Sequence, residues 1–433
     1  MRHLIQQMFE SLKWQFFVLL NKLADARGGV TAELAIHYPA EFKPGGHYFW
    51  VFCSTIGEVN ACHPFLVEVA KRGQLVLLTD RHCYRDSYWR HFPAAMIVEL
   101  SGRIDDGQRL AQQLPPERFI VCEIPAQPVE APCRLSYGIV RAAKKSGALC
   151  HLVNVWLYHY QPSCRIDAVE QRLFGRDFLR SFDFVSVQTE SVKHDLIEKG
   201  LDSNRVAVSG NIKFDALEDT STLLLDQRSR GCIEQLEQAD RVVVVAGCLT
   251  DVWEFQLVLD AFVEAQQSSP QLYLVLAPRH PEYAEPMAAL WQALDNSGLS
   301  YCVKSLLADG DEITQHSVMV LDTFGELKSF YSRCDLSYVG VNHNVLEPLS
   351  FSRQVTVSPG WEATYPSFPV YQVATELALI KEVATAAELA QAMLQAEANE
   401  QSQSASVSDK LAELTGATDK TIEYVFAQDG QIA

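Results

Sequence analysis

Asp322-Thr-Phe-Gly-Glu-Leu-Lys328 and, one element later, His343-Asn-Val-Leu-Glu-Pro348 decide how this chain is read. Ser317-Val-Met-Val-Leu321 before the first has the length and apolarity of a strand, and Leu327, Phe330 and Tyr331 after it recur at helical spacing. The sequence therefore predicts a strand, a tight turn at Gly325, and a helix whose first turn carries Glu326. A second strand follows at Leu336-Ser-Tyr-Val-Gly340, then a turn that opens at Asn342 into a helix over Val345 to Leu349. Consecutive strand-to-helix turns open on one edge of a parallel sheet, the edge where such sheets bind ligands. Free N–H groups at helix starts suit a phosphate, and a carboxylate such as Glu347 suits a ribose diol. Each acid taken alone could equally serve the helix dipole. The pair is more telling.

Working outward, short apolar runs alternate with helical stretches in two series. The first contains strands at Tyr48 to Cys53, Leu75 to Thr79, Ala95 to Glu99, Phe119 to Cys122, Leu149 to Val153, Phe182 to Val187 and Val206 to Ser209. Helices are expected over Gly57 to Lys71, Leu135 to Lys145 and Ala168 to Arg180. The second series starts with the valine run Arg241 to Ala246, suited to a strand buried on both faces. It continues through Leu272 to Ala277, Tyr301 to Lys304, Val318 to Leu321, Leu336 to Val339 and Gln354 to Val357. Such alternation predicts an α/β protein with doubly wound parallel sheets. A chain of 433 residues exceeds one ordinary core, so two domains are expected, 30–213 and 214–433, with a cleft between them as the place for a small molecule. Polar residues 398–409 read as a loop before a last helix.

Residues 1–29 form a separate expectation. Leu4, Ile5, Met8, Phe9, Leu12, Phe16, Leu19, Leu20 and Leu23 recur at three- and four-residue steps, with Arg2, Lys13, Lys22 and Arg27 between them. The uninterrupted run Phe16 to Leu20 is far short of the roughly 20 residues that span a bilayer. The helix suits either a membrane interface or the surface of its own domain. A formal charge of −18 argues against a nucleic-acid partner. Eleven cysteines lie scattered without CxxC pairs or zinc spacing, so no metal site is expected, and Cys122, Cys150 and Cys248 read as buried thiols.

Four further turns carry chemistry. In Ser54-Thr-Ile-Gly-Glu58, Glu58 occupies the first turn of a helix, where an acid complements the helix dipole or could accept a proton from an attacking hydroxyl. Leu276-Ala-Pro-Arg-His-Pro-Glu282 sets Arg279 and His280 between two prolines, an arrangement favouring anion binding by the planar guanidinium. Ser209-Gly-Asn-Ile-Lys-Phe-Asp215 reads as an exit hinge. In Ala246-Gly-Cys-Leu-Thr-Asp251, Gly247 permits close backbone approach and Thr250 or Asp251 would cap a helix.

Taken in order, these blocks resemble the 3-deoxy-D-manno-octulosonic acid (Kdo) transferases over roughly residues 45–360. The resemblance implies a GT-B glycosyltransferase: two Rossmann-like domains facing across a cleft, needing neither metal nor cofactor. The first would bind the acceptor, a lipid A precursor, and the second the donor, CMP-Kdo. Glu58 matches the catalytic base; Pro278, Arg279, His280, Phe324, Gly325, Glu326, Asn344, Val345, Leu346 and Glu347 match nucleotide-sugar positions; Glu123, Gly247 and Thr250 match further donor or acceptor contacts. The implied reaction inverts the anomeric carbon within lipopolysaccharide synthesis, in the cytoplasm or on the cytoplasmic side of the bacterial inner membrane. The chain departs from the family in several blocks. Val341-Asn342 stands where a Gly-Gly pair is usual, and Gly247 to Glu254 lacks the family's histidine. The segments Cys122-Glu-Ile-Pro-Ala126 and Asn154-Val-Trp-Leu-Tyr158 are altered as well. These departures leave open another acceptor or donor sugar, a silent nucleotide-binding scaffold, or an epimerase acting on a nucleotide sugar.

Overall fold

Two sheets, parallel in all but one strand pairing, organise the computed structural model, which describes residues 2–28, 33–42, 45–123, 134–158, 161–162, 164–218, 227–308, 310–398 and 402–427. The chain divides into unit 1, Met1–Ala216 with Leu414–Ala433, and unit 2, Leu217–Glu413.

Unit 1 begins with α1 (Arg2–Gly28), β1 (Ala35–His37) and β2 (Tyr48–Phe52), followed by α2 (Ile56–Ala61), α3 (His63–Ala70) and β3 (Gln74–Thr79). Next come α4 (Arg85–His91), β4 (Met96–Glu99), α5 (Asp106–Gln113), β5 (Pro116–Cys122), α6 (Tyr137–Lys145) and β6 (Leu149–Val155). The series closes with α7 (Arg165–Arg180), β7 (Phe184–Val187), α8 (Glu190–Glu198) and β8 (Val206–Val208). The strand order is β1-β4-β3-β2-β5-β6-β7-β8, and only β1 runs antiparallel, Ile36 facing Val98. Every residue of β2 is buried, because helices cover both faces of a parallel sheet. The helix expected over Gly57 to Lys71 breaks at Cys62, where Pro64 enters as the second residue of α3.

Unit 2 contains α9 (Gln227–Gln238), β9 (Val242–Leu249), α10 (Val252–Gln266), β10 (Leu272–Pro278), α11 (Ala284–Ser297) and β11 (Tyr301–Val303). It continues with β12 (Val318–Val320), α12 (Leu327–Tyr331), β13 (Leu336–Val339), α13 (Leu346–Leu349) and β14 (Gln354–Val357). The remaining elements are α14 (Phe368–Glu376), β15 (Ile380–Glu382), α15 (Ala386–Ala398) and α16 (Ser402–Glu413). Its seven strands run β11-β12-β10-β9-β13-β14-β15, all parallel. Two expectations change here. Residues 402–413 are helical rather than loop, since Ala and Gln among the serines are good helix formers and Leu411 is buried. Glu326 precedes α12 as its cap residue instead of lying in the first turn.

The last helix, α17 (Ala417–Phe426), was expected in the second domain but belongs to unit 1. Asp215 caps it, accepting from the backbone N–H of Gly416 at 2.6 Å and of Thr418. The buried Arg118 donates to the Val425 carbonyl at 2.8 Å and lies 4.6 Å from the Phe426 ring centre. Ala417 and Val425 then join Phe49, Val69 and Ile212 in one apolar core.

On β6, His151 is buried and neither ring nitrogen has a hydrogen-bond partner among the described residues. Burial, with Arg118 adding to it, pushes its pKa down to about 3 from 6.5. Below pH 6.5 the unfolded chain takes up a proton that the folded one refuses, so this residue withdraws stability as pH falls. The expected loss between pH 7 and pH 5 is about 2 kcal/mol. Urea unfolding at the two pH values, compared with His151→Leu, checks it: the variant should lose less stability on acidification.

Candidate functional site

Strand order places the candidate site of each unit. In unit 1 the order reverses between β2 and β5, and in unit 2 between β9 and β13. Crevices outside the carboxyl ends of strands at such reversals are where open α/β sheets bind ligands. Glu58 follows β2 and Glu123 follows β5, while Gly247 and Thr250 close β9 and 340–347 follow β13.

In unit 1 the turn after β2 is held on both sides. Ser54 Oγ donates to Asp80 Oδ1 at 2.6 Å. Glu58 closes a capping box on Thr55, accepting from its N–H at 2.7 Å and from its hydroxyl. The half-buried Glu58 carboxyl has a pKa raised by burial, against which the Thr55 hydroxyl and Lys213 act. Glu123, at φ 56°, is 4% exposed and pairs with Lys213 Nζ. Burial pushes its pKa up to about 7, Lys213 opposing and Glu58 reinforcing. These two carboxyls and one ammonium therefore feel one another. Residues 124–126, next to Glu123, lie outside the described residues.

Lys213 was not singled out in the sequence as a site residue, and it reaches Glu123 through a buried amide network. Asn154, at φ 56°, accepts from Ile212 N–H at 3.0 Å and donates to Asn211 Oδ1 at 3.3 Å. Gln188 donates to the Asn154 carbonyl at 2.9 Å. Segment 209–215, read as a plain hinge, thus delivers a cation through Lys213 and a helix cap through Asp215. The only hint in the sequence was its density of Asn, Lys and Asp.

Unit 2 gathers its residues around the end of β9. Arg279 N–H donates to the Leu249 carbonyl at 2.8 Å, and Gly340 N–H to the Gly247 carbonyl at 2.9 Å. A Cβ on Gly247 would lie 2.0 Å from the Tyr331 hydroxyl, so glycine here answers to the phenol beneath it. Thr250 Oγ1 pairs with His343 Nε2 at 2.8 Å. The buried Glu254 ties the two turns together, accepting from Thr250 and Asp251 N–H through one oxygen and from Val341 N–H through the other. Cys248, read as a buried thiol, is only half-buried at φ 60°, because the strand ends in this crossing of turns.

The half-buried Glu347 carboxyl has a pKa raised by burial, opposed by Lys328 and Arg279 and by a hydrogen bond from Asn344. His343 is pushed down to about 4 by burial and by the charges of Arg279 and His280, so its ring is neutral at pH 7. Arg279 is exposed, whereas His280 pairs with Glu282 at 3.1 Å and stacks on Tyr283. One carboxylate, two nearby cations and a neutral imidazole can together hold a phosphate ester and a diol.

Other expected residues have different surroundings. Glu326 lies in a buried ion pair with Lys304 at 2.9 Å and also accepts from Thr323 Oγ1. Phe324 is 68% exposed beside Gly325 at φ +88°. Pro278 ends β10, and Val345 and Leu346 are buried, with the Leu346 N–H donating to Asn344 Oδ1 at 3.1 Å and the Leu346 carbonyl accepting from the Ser350 N–H at 2.8 Å. Among the described residues no group of His, Cys, Asp or Glu could hold a metal ion.

No protein-family model matches the chain. It is 30% identical over 232 residues to the 3-deoxy-D-manno-octulosonic acid transferase of Chlamydophila psittaci, covering 51% of this chain and 48% of that one. The Bordetella pertussis enzyme of the same name is 26% identical over 332 residues, 72% of this chain and 71% of its own. The chain thus spans about half the length of the first curated relatives it matches. Among solved structures, UDP-GlcNAc 2-epimerase from Neisseria meningitidis, bound to UDP-GlcNAc, superposes with TM-score 0.59 at 14% identity, over 88% of this chain and 100% of that one. A glycosyltransferase from Rickettsia africae gives TM-score 0.58 at 10% identity, over 88% and 98%. At those identities the likeness shows the fold alone, two Rossmann-like units of the GT-B class. In sequence the chain is therefore similar to the Kdo transferases, at 26 to 30% identity.

Proposed function

We propose that the protein is an inverting, metal-independent glycosyltransferase that moves Kdo from CMP-Kdo to a hydroxyl of a lipid A precursor at the cytoplasmic face of the inner membrane. The observation that carries this reading is the position of Glu58 and Glu347 at the strand-order reversals of their sheets, each carboxyl raised by burial and moderated by cations. Unit 1 would bind the acceptor and unit 2 the nucleotide sugar. Glu58 accepts the proton of the acceptor hydroxyl, whose oxygen forms the new bond to the anomeric carbon. The bond from that carbon to the CMP phosphate breaks on the opposite face, and its electron pair leaves with the phosphate oxygen. Arg279 and Lys328 stabilise the charge that develops there. Glu123 and Lys213 set the electrostatics around Glu58.

Incubation with CMP-Kdo, with and without a lipid A precursor, tests the proposal. CMP release is expected to depend on the acceptor. Release at the same rate without it would contradict transfer, and no release with any lipid A precursor would favour a silent scaffold.

A further inference from the structure

A lysine is buried at the carboxyl edge of the unit 2 sheet. Lys304 follows the edge strand β11, is 3% exposed, and donates through Nζ to Glu326 Oε1 at 2.9 Å. Val303 faces Val320 in the β11–β12 ladder, so the residues that follow these two strands meet just past the sheet edge. There Ser305 grips Asp322, its N–H donating to Oδ1 at 2.9 Å and its hydroxyl to Oδ2 at 2.5 Å. Two adjacent residues of one short turn therefore hold both ends of segment 322–326. Ser305 holds Asp322, and Lys304 holds Glu326. The other Glu326 oxygen accepts from Thr323 Oγ1, which closes the segment on itself.

Stability does not account for this clamp. Burying an ammonium and a carboxylate costs about as much as their attraction returns, and an apolar pair of similar volume is often as stable. What the pair supplies is a defined geometry, and the geometry defined here is that of Phe324 and Gly325 at the apex of the segment. Gly325 stands at φ +88°. After Leu306, Phe324 is the most exposed large apolar side chain among the described residues. An aromatic ring kept bare on a turn fixed at both ends is presented to something outside the chain. Both carboxylate oxygens of Glu326 are meanwhile engaged within the clamp, so this acid shapes the turn.

We propose that Lys304 and Ser305 are positioning residues for nucleotide binding, fixing segment 322–326 so that Phe324 and the Gly325 backbone meet the donor nucleotide. Neither residue is among the nucleotide-sugar positions that the family resemblance supplies. A turn already in its bound shape loses less freedom when the ligand arrives, and affinity rises accordingly. The inference rests on the proposed function for the identity of that nucleotide.

CMP binding is measured by calorimetry on the full chain, beside transfer kinetics with CMP-Kdo and a lipid A precursor. Ser305→Ala and Lys304→Met should each raise the CMP dissociation constant about tenfold, the scale of losing a hydrogen bond to a charged group. Transfer should show a matching rise in KM with kcat within about twofold of wild type, because the groups at the reacting bond are untouched. Ser305→Thr keeps the hydroxyl and should restore the wild-type constant. Lys304→Met/Glu326→Met should recover the thermal stability lost in Lys304→Met while CMP stays weakly bound, a separation that a purely structural pair would not give. Should Lys304→Met fail to fold, the two variants of the exposed Ser305 decide alone. Wild-type affinity in Ser305→Ala, or affinity that returns with stability in the double variant, would overturn the proposal. A wild-type chain that binds no CMP would instead overturn the transfer reading, and the role of the clamp with it.

Discussion

Glu58→Gln should lower acceptor-dependent transfer by about 10²–10⁴-fold, the usual contribution of a positioned general base, while CMP binding stays as it was. The substitution is chosen for its shape. Thr55 N–H and hydroxyl both donate to one Glu58 oxygen, and a glutamine carbonyl can accept the same bonds, so the turn after β2 is kept. What disappears is the capacity to take a proton. The wild-type rate should rise with pH through a value above 4.5, because burial raises the folded carboxyl and a base must be ionised to act. Lys213 opposes that rise, so Lys213→Met should move the rising limb to still higher pH. Unchanged transfer by Glu58→Gln would remove it from the role of base.

A second large effect is expected in unit 2. With CMP at a hundred times its dissociation constant, the wild-type protein should gain about 2.7 kcal/mol of stability against heat, and Glu347→Ala should gain none. The carboxyl lies at the β9–β13 reversal, where Arg279 and Lys328 bear on it and Asn344 donates to it. Removing it deletes the acceptor for a diol while leaving the cations that would meet the phosphate. Because that carboxyl is raised by burial, its loss should not lower the melting temperature of the nucleotide-free protein. A full CMP-dependent shift in the variant would place nucleotide recognition elsewhere.

The parts of the fold legible in the sequence were those whose physics is local. Strands such as Val242–Leu249 and Tyr48–Phe52 are covered by helices on both faces, so they read as continuous apolar runs. Edge strands β1 and β15 have three residues each and leave no such signal. Helix α17 joins unit 1 through Asp215 and Arg118, partners some 200 and 300 residues away in sequence, which no local pattern carries. The same holds within the sites. Glu58 and Glu347 were visible because each sits in a strand–turn–helix block. Lys213 was not, since its placement depends on Asn154 and Asn211 meeting beneath the sheet edge. The Lys304–Glu326 pair similarly joins residues 22 apart and shows that Glu326 has a structural partner. Whether an acid in a first turn serves a ligand or a lysine is decided by what folds back onto it.

The central claim is transfer of Kdo onto lipid, and the mass of the acceptor tests it most directly. After incubation with CMP-Kdo, the account predicts that the lipid A precursor gains the mass of a Kdo residue, and that Glu58→Gln leaves it unmodified. A precursor of unchanged mass alongside an intact, CMP-binding wild-type protein would contradict the account.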